Sequence, residues 1–153
     1  NGRVEIAGSV LAERYLNDPK RSAFAFRMRD GKLWYRTDDT GSLHHGTLAV
    51  TGRVDDVIIS GGIKVSLSEV ESVVRDLPGL ADAVVVAAPH PEWGEVPVVV
   101  AVEDPIPLRR LRELVALRLG PASAPDRVMV VDVVPMLPSG KPDRVQIAAL
   151  VLK

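Results

Sequence analysis

Residues 60–79 read Ser-Gly-Gly-Ile-Lys-Val-Ser-Leu-Ser-Glu-Val-Glu-Ser-Val-Val-Arg-Asp-Leu-Pro-Gly, a glycine pair followed by a strongly patterned segment. The spacing from Ser66 to Glu69 is that of a capping box, in which two side chains satisfy free backbone N–H groups at the start of a helix. Apolar residues then recur at helical intervals until a Pro-Gly pair ends the pattern. The segment predicts a helix over residues 67–77.

Downstream of this helix the pattern alternates between strands and helices. Val-rich runs flanked by proline or charge predict strands at residues 83–88, 96–102 and 128–134. Pro97 has no backbone N–H, which suits an edge strand. A second amphipathic helix is expected to start at Pro107 and to end before Gly120. Residues 55–153 are therefore predicted to form a small α+β domain.

Upstream, residues 1–54 show short strand-like stretches instead. These are Arg3 to Ile6, Lys32 to Tyr35 and Thr47 to Val50, separated by Asn17-Asp18-Pro19, Asp30-Gly31 and His45-Gly46. Charge changes at the same boundary, since residues 1–54 carry nine Lys/Arg and six Asp/Glu and the remainder carries ten and fourteen. About fifty residues of short strands make a poor core by themselves. We expect this part to complete a sheet or barrel whose other strands lie upstream.

Composition excludes several classes of function. The formal net charge of −1 argues against nucleic acid or an acidic membrane surface as the main partner. The absence of cysteine excludes disulfides, thiolate metal sites and a cysteine nucleophile, and three histidines leave little for a metal site, so none is predicted. We find no targeting signal or membrane-spanning run and expect a cytoplasmic protein. The first residue, Asn1, suggests a piece of a longer protein.

Polar, glycine-bearing stretches carry the candidate chemistry. Asp38 and Asp39 follow a predicted strand, where adjacent carboxylates suit vicinal hydroxyls such as those of a ribose, although the pattern alone favours an Asp-rich turn. The pair Gly61-Gly62 lets a backbone approach a ligand and Lys64 can hold a phosphate, but a hairpin turn is the simpler interpretation. Lys141 either delivers a point charge to a developing anion or is solvated.

Other conspicuous residues have simpler interpretations. His44 and His45 precede a glycine and indicate a solvated turn rather than a metal site. Trp93, in a loop between two strands, is read as a packing residue rather than a surface on which a substrate stacks. The residues considered one by one leave these alternatives open.

Taken together, these stretches resemble the adenylate-forming superfamily of acyl-CoA synthetases, nonribosomal-peptide adenylation domains and luciferases. Residues 2–19, 31–39, 52–71 and 135–144 are similar, in that order, to its motifs G-E-[IL]-x-[VI]…G-Y-x-N-x-P, G-W-x-x-T-G-D, G-R-x-D-D…G-x-[RK]…E-[IV]-E and P-x-x-x-x-G-K-x-x-R. The family's phosphate-binding loop and the helices that wall its acyl pocket have no counterpart here. The resemblance implies the end of the β-rich large domain in residues 1–54, then the mobile C-terminal lid in residues 55–153. Such a fragment is expected to be inactive alone.

The resemblance also assigns roles by position. It implies that Asp39, Arg53 and Lys64 bind the nucleotide and that Asp55 is the hinge. Gly62 would lie near the path of the CoA thiol, and Lys141 would be the catalytic residue. The catalytic lysine would bridge the substrate carboxylate and the α-phosphate during adenylation. Its charge would then act mainly on the transition state.

One departure narrows the resemblance. Thr37-Asp38-Asp39 stands where the family has Thr-Gly-Asp, so Asp38 competes with Asp39 for the ribose. This variant and Ser60-Gly61-Gly62 resemble o-succinylbenzoate-CoA ligases of menaquinone biosynthesis. The implied partners are ATP with Mg²⁺, CoA, a small carboxylic acid and the missing N-terminal large domain, with no nucleic acid or membrane and an open oligomeric state. Alternatives are another acyl-CoA synthetase, a carrier-loading adenylation domain or a non-catalytic α+β binding module.

Overall fold

The computed structural model describes residues 2–152, which form two compact units that meet in sequence at Asp55 and Asp56. The first unit contains β1 (Gly2–Ala7), α1 (Pro19–Ala25), β2 (Phe26–Arg29), β3 (Lys32–His44) and β4 (Thr47–Arg53). Its antiparallel sheet has the order β1-β3-β2, and β4 also pairs with β3. No helix within the described residues is long and apolar enough to span a bilayer.

Three β-hairpins with two-residue loops form where the sequence predicted turns. Asp30-Gly31 joins β2 to β3, and His45-Gly46 joins β3 to β4. All four residues have φ between 48° and 81°. Gly61-Gly62 adopts the same left-handed geometry, with φ of 56° and 81°. Positive φ at both central residues matches the right-handed twist of the flanking strands. The predicted hairpins, including the turn at His45, are confirmed.

Aromatic side chains organise the first unit. The Phe26 ring lies 5.6 Å from that of Tyr15 and 5.0 Å from that of Tyr35. The two tyrosine hydroxyls are hydrogen-bonded at 2.9 Å, which, with burial, raises the pKa of Tyr35. On the neighbouring position of β3, Trp34 lies under the guanidinium of Arg29, 4.1 Å from its ring centroid. These contacts replace part of the aliphatic core that this unit lacks.

The second unit alternates strands and helices as predicted, and it ends with a helix that was not predicted. Its elements are β5 (Val57–Ser60), β6 (Ile63–Ser66), α2 (Leu67–Arg75), β7 (Val84–His90), β8 (Gly94–Ala101), α3 (Leu108–Leu119), β9 (Arg127–Val130) and α4 (Arg144–Val151). The sheet has the order β6-β5-β8-β7, and β9 pairs with β8 in parallel. The α+β fold class is confirmed.

Two hydrophobic cores lie on opposite faces of this sheet. Val85 and Val99 belong to the core that includes α2 and α3, whereas Val84 and Val98 belong to the core that includes α4. A strand covered on both faces needs apolar residues at every position rather than at alternate ones. This explains the uninterrupted valine runs.

Helix α2 begins as its capping box predicted. The Ser66 side chain accepts a hydrogen bond from the backbone N–H of Glu69 at 3.3 Å, and the helix ends at Arg75, two residues before the predicted limit. Helix α3 follows Pro107 and ends at Leu119. The next residue, Gly120, has a φ of 92°, which only glycine adopts easily. Both predicted helices are confirmed.

Two expectations about strands are wrong. Pro97 lies on β8, which pairs with β7, β5 and β9 and is not an edge strand. The carbonyl of Pro97 accepts the N–H of Asp126, and the nitrogen of Pro97 faces the same side of β8 as this carbonyl. On that side, Pro97 lies between the residue that pairs with β5 and the first residue that pairs with β9, so no strand requires an N–H from it. The strand expected over residues 128–134 ends at Val130, because β8 offers no partner beyond Ala101.

Candidate functional site

Asp38 and Asp39 lie inside β3, so the expectation that they follow a strand and the alternative Asp-rich turn are both wrong. The strand continues because Asp39 pairs with Arg53 of β4 and Thr40 pairs with Arg3 of β1. Buried Thr37 donates to the Val4 carbonyl at 2.8 Å and accepts the Asp39 N–H at 3.1 Å. The backbone that presents the two carboxylates is therefore held from both sides.

Arg53 connects three carboxylates at the end of β4. Its Nε and Nη2 donate to the two oxygens of Asp55 at 2.8 and 2.9 Å, a bidentate pair. Its Nη1 lies 3.7 Å from Asp39 Oδ1, and its Nη2 lies 3.9 Å from Asp38 Oδ2. Asp38 also faces Arg3 at 3.7 Å. The structure thus brings together three predicted site residues, Asp39, Arg53 and Asp55.

Arg53 lowers the pKa of the Asp55 carboxyl from its usual value, chiefly by hydrogen bonding to it. Because the native pKa is lowered, the pair adds stability above the ordinary carboxylate pKa and loses it as pH falls through the lowered value. Arg53→Ala should therefore raise the pKa of Asp55, measured from its carboxyl carbon shift by NMR. The pKa of Glu113, lowered by Arg109 and Arg110, should stay unchanged. An unmoved Asp55 would contradict the bidentate geometry.

In the second unit, the β5–β6 hairpin lies against Trp93. The N–H of Gly61 donates to the Trp93 carbonyl at 2.9 Å, and a Cβ on Gly61 would come within 2.5 Å of the indole ring. Gly62 has φ of 81°, and a Cβ there would meet nothing within 4 Å. Glycine is required at 61 for space as well as conformation, and at 62 for conformation alone. Trp93 packs on the hairpin yet remains 51% exposed.

Beside this contact lies a cleft of about 330 Å³. Its wall includes the exposed face of Trp93 together with Ser60, Ile63, His90, Val96 and Arg112. The predicted CoA-path residue Gly62 follows directly in the hairpin that forms one side.

The two predicted site lysines lie on separate elements of the second unit. Lys64 lies on β6 and is exposed. Lys141, also exposed, lies in the loop before α4. This loop is closed on itself, because the Leu137 N–H donates to the Lys141 carbonyl at 2.7 Å and Gly140 turns the chain with φ of 77°. The backbone of Lys141 is therefore fixed while its side chain faces outward.

Sequence reasoning missed a buried charged group of this unit. Glu71 is 7% exposed and is hydrogen-bonded to Arg144, at the start of α4. A signal was present, because Glu71 lies between apolar positions of α2 and Arg144 closes the loop motif. Within residues 2–152, no grouping of three or more His, Asp or Glu side chains is arranged to hold a metal ion.

Comparison with known proteins gives consistent matches. Residues 69–141 match the family model of the AMP-binding enzyme C-terminal domain. The long-chain-fatty-acid–CoA ligase FadD13 of Mycobacterium tuberculosis is 33% identical over 143 residues, which cover 92% of this chain and 28% of the relative. Amide bond synthetase McbA from Marinactinospora thermotolerans matches at 33% identity with a TM-score of 0.81, over 99% of this chain and 31% of that protein.

A further solved structure is o-succinylbenzoate CoA synthetase (MenE) from Bacillus subtilis, in complex with the acyl-adenylate intermediate OSB-AMP. It matches at 32% identity with a TM-score of 0.81, over 95% of this chain and 30% of that protein. The chain thus spans less than a third of the length of each of these proteins.

Proposed function

Because the chain belongs to the adenylate-forming superfamily of AMP-binding acyl-CoA synthetases, we propose that it is the C-terminal part of an AMP-forming acid–thiol ligase. Such an enzyme converts a carboxylate and ATP to acyl-AMP and pyrophosphate, then transfers the acyl group to CoA. Residues 1–54 would end the large domain and residues 55–153 would form the mobile lid. The observation that carries the proposal is the family match over residues 69–141, which ends at the exposed lysine of a closed loop.

Lys141 is proposed as the catalytic residue of adenylation. When the substrate carboxylate attacks the α-phosphorus, the P–O bond to pyrophosphate breaks and negative charge builds on the phosphoryl oxygens. An ammonium group placed there stabilises the transition state more than the bound substrates. Mg²⁺ would enter on the ATP phosphates and neutralise part of the same charge. An exposed side chain on a fixed backbone suits a residue that is delivered to the substrate and then withdrawn.

Two residues of the first unit are proposed to contact the ribose of the nucleotide. Asp39 would accept hydrogen bonds from the ribose hydroxyls, and Arg53 would assist it. Arg53 is also bonded to Asp55, the proposed hinge, so one guanidinium lies between the ribose site and the point where the lid turns. Lys64 is proposed to lie near a phosphate of the nucleotide and Gly62 near the path of the CoA thiol.

The acid substrate is proposed to be o-succinylbenzoate. The similarity to o-succinylbenzoate CoA synthetase and the Thr-Asp-Asp and Ser-Gly-Gly variants support it. The test is pyrophosphate release by the full-length protein with ATP and o-succinylbenzoate, compared with a long-chain fatty acid. A preference for the fatty acid would contradict this substrate and keep the ligase, whereas no release with any acid would contradict the ligase.

A second candidate reaction differs only in the acceptor. The similarity to an amide bond synthetase favours acyl transfer to an amine. The test supplies the full-length protein with presynthesised acyl-AMP and both acceptors, CoA and an amine. Formation of amide without thioester would replace the CoA ligase with this alternative.

Asp39→Ala in the full-length protein should weaken nucleotide binding by about 1.5–3 kcal/mol, because a ribose would lose a charged acceptor. Asp38→Ala should have a smaller effect, since Arg3 and Arg53 lie 3.7 and 3.9 Å from the Asp38 carboxylate. Isothermal titration with AMP measures both variants. The reverse ranking would move the ribose contact to Asp38.

A further inference from the structure

The second unit contains an ion pair with a buried carboxylate, Glu71, paired with the half-buried Arg144, and the proposed reaction gives it no role. The Glu71 side chain, on α2, is 9% exposed. Its Oε2 accepts hydrogen bonds from Arg144 Nη2 at 2.7 Å and from the Val85 N–H at 2.9 Å. Its Oε1 lies 3.2 Å from Arg75 Nη2. A carboxylate at this depth is stable only when both oxygens are paired, so losing one partner is costly.

This pair occupies the open edge of β7, the last strand in the order β6-β5-β8-β7. Arg144 Nη1 donates to the Val85 carbonyl at 2.9 Å, while Glu71 accepts the Val85 N–H. A neighbouring strand would make the same two bonds to one residue. Glu71 and Arg144 therefore replace a strand at this edge and join α2, β7 and the first residue of α4.

The same pair holds one end of the Lys141 loop. Arg144 follows Lys141 by three residues, a length of chain that spans at most about 10 Å. Between them, the Asp143 N–H donates to the Pro135 carbonyl at 2.9 Å and the Asp143 side chain caps α4. Fixing the Arg144 side chain therefore restricts the positions that the backbone of Lys141 can adopt.

We propose that Glu71 and Arg144 are positioning residues for Lys141. Their ion pair fixes the start of α4 on the edge of β7 and so keeps the loop of residues 136–142 in one conformation. The ordering of the loop depends on the contacts alone, whereas its effect on adenylation rests on the proposed function. Neither side chain contacts the reacting atoms in this proposal.

The first experiment is amide hydrogen exchange in the 153-residue chain. Glu71→Gln keeps the side-chain length but removes the charge, and Glu113→Gln is the control, because Glu113 makes exposed pairs with Arg109 and Arg110. Exchange at the hydrogen-bonded amides of Leu137, Gly140 and Asp143 should be about tenfold or more faster in Glu71→Gln. The β5–β6 hairpin should keep its rates.

Two results would overturn the loop assignment. One is an unchanged loop in a Glu71→Gln chain whose circular dichroism is native. The other is an equal acceleration throughout the second unit, which marks a general loss of stability. If Glu71→Gln does not fold, Arg144→Lys decides, since it keeps the positive charge but loses the planar fork that bonds Glu71 and Val85 together.

The second experiment uses the full-length protein. Glu71→Gln should lower kcat for pyrophosphate release by about tenfold while KM for ATP and the transfer from presynthesised acyl-AMP to CoA change less than about twofold. Equal losses in both half-reactions would indicate a structural role only. Absence of pyrophosphate release in the unmodified protein would remove the proposed function, and the exchange experiment alone would then decide the ordering of the loop.

Discussion

Lys141→Ala in the full-length enzyme should reduce adenylate formation by about a hundred- to a thousandfold, equivalent to roughly 3–4 kcal/mol of lost transition-state stabilisation. The reason is that the substitution removes the proposed catalytic cation, which would offset charge building at the α-phosphate. Thioester formation should continue, because the proposed lid rotation carries Lys141 away before CoA attacks. The two half-reactions are measured separately, as pyrophosphate release and as acyl-CoA formation from presynthesised acyl-AMP.

Lys20→Ala is the matched control, since Lys20 is another exposed lysine and lies on α1. It should leave both half-reactions unchanged. If Lys141→Ala lowers both half-reactions by the same factor, the assignment of this lysine to adenylation alone is wrong. If neither changes, Lys141 has no catalytic role and the exposed side chain is a solvated surface residue.

Leu111→Ala should lower the free energy of unfolding of the second unit by about 2–5 kcal/mol. Leu111 lies on α3, is fully buried and belongs to the core that also includes α2 and the β7–β8 pair. Truncation removes packed methyl groups and leaves a cavity. Urea unfolding followed by far-ultraviolet circular dichroism measures the change, because three of the four α-helices within residues 2–152 lie in this unit.

Leu117→Ala is its control, on the same helix but 85% exposed. It should change the free energy of unfolding by less than about 0.5 kcal/mol. Because the residue types and the helix are shared, helix propensity cancels between the two variants. Equal effects would mean that α3 does not bury the face described above.

Features that depend on neighbours in sequence were predicted well. Helix α2 was readable because its first turn carries a local signal, and the Ser66 side chain accepts the Glu69 N–H there. The hairpins were readable because Asp30-Gly31, His45-Gly46 and Gly61-Gly62 place residues that tolerate positive φ at two consecutive positions. The resemblance to the adenylate-forming family was carried by ordered motifs and is confirmed by the family match together with the similarity to FadD13.

Features that depend on distant partners were missed. Strand β3 continues through polar Asp38 and Asp39 because β1 and β4 pair with it on either side, which no local pattern reveals. Pro97 is tolerated on an inner strand because it lies where β8 changes its pairing from β5 to β9, so that its missing N–H leaves no partner strand unpaired. The burial of Glu71 was not predicted, because it depends on a guanidinium 73 positions away in the sequence. The roles given to Asp39, Arg53, Asp55, Gly62, Lys64 and Lys141 remain predictions.

The placement of the two indoles allows the two units to be followed separately by intrinsic tryptophan fluorescence. Each unit contains one tryptophan, Trp34 under a guanidinium in the first and Trp93 against the Gly61 hairpin in the second. Trp34→Phe and Trp93→Phe therefore each leave a single fluorophore, and its emission and quenching follow one unit at a time. Trp34 emission then reports the unfolding of the first unit, and Trp93 emission reports the unfolding of the second. Trp93 emission also responds to a molecule that enters the cleft beside the Gly61 hairpin, and neither measurement needs an attached label.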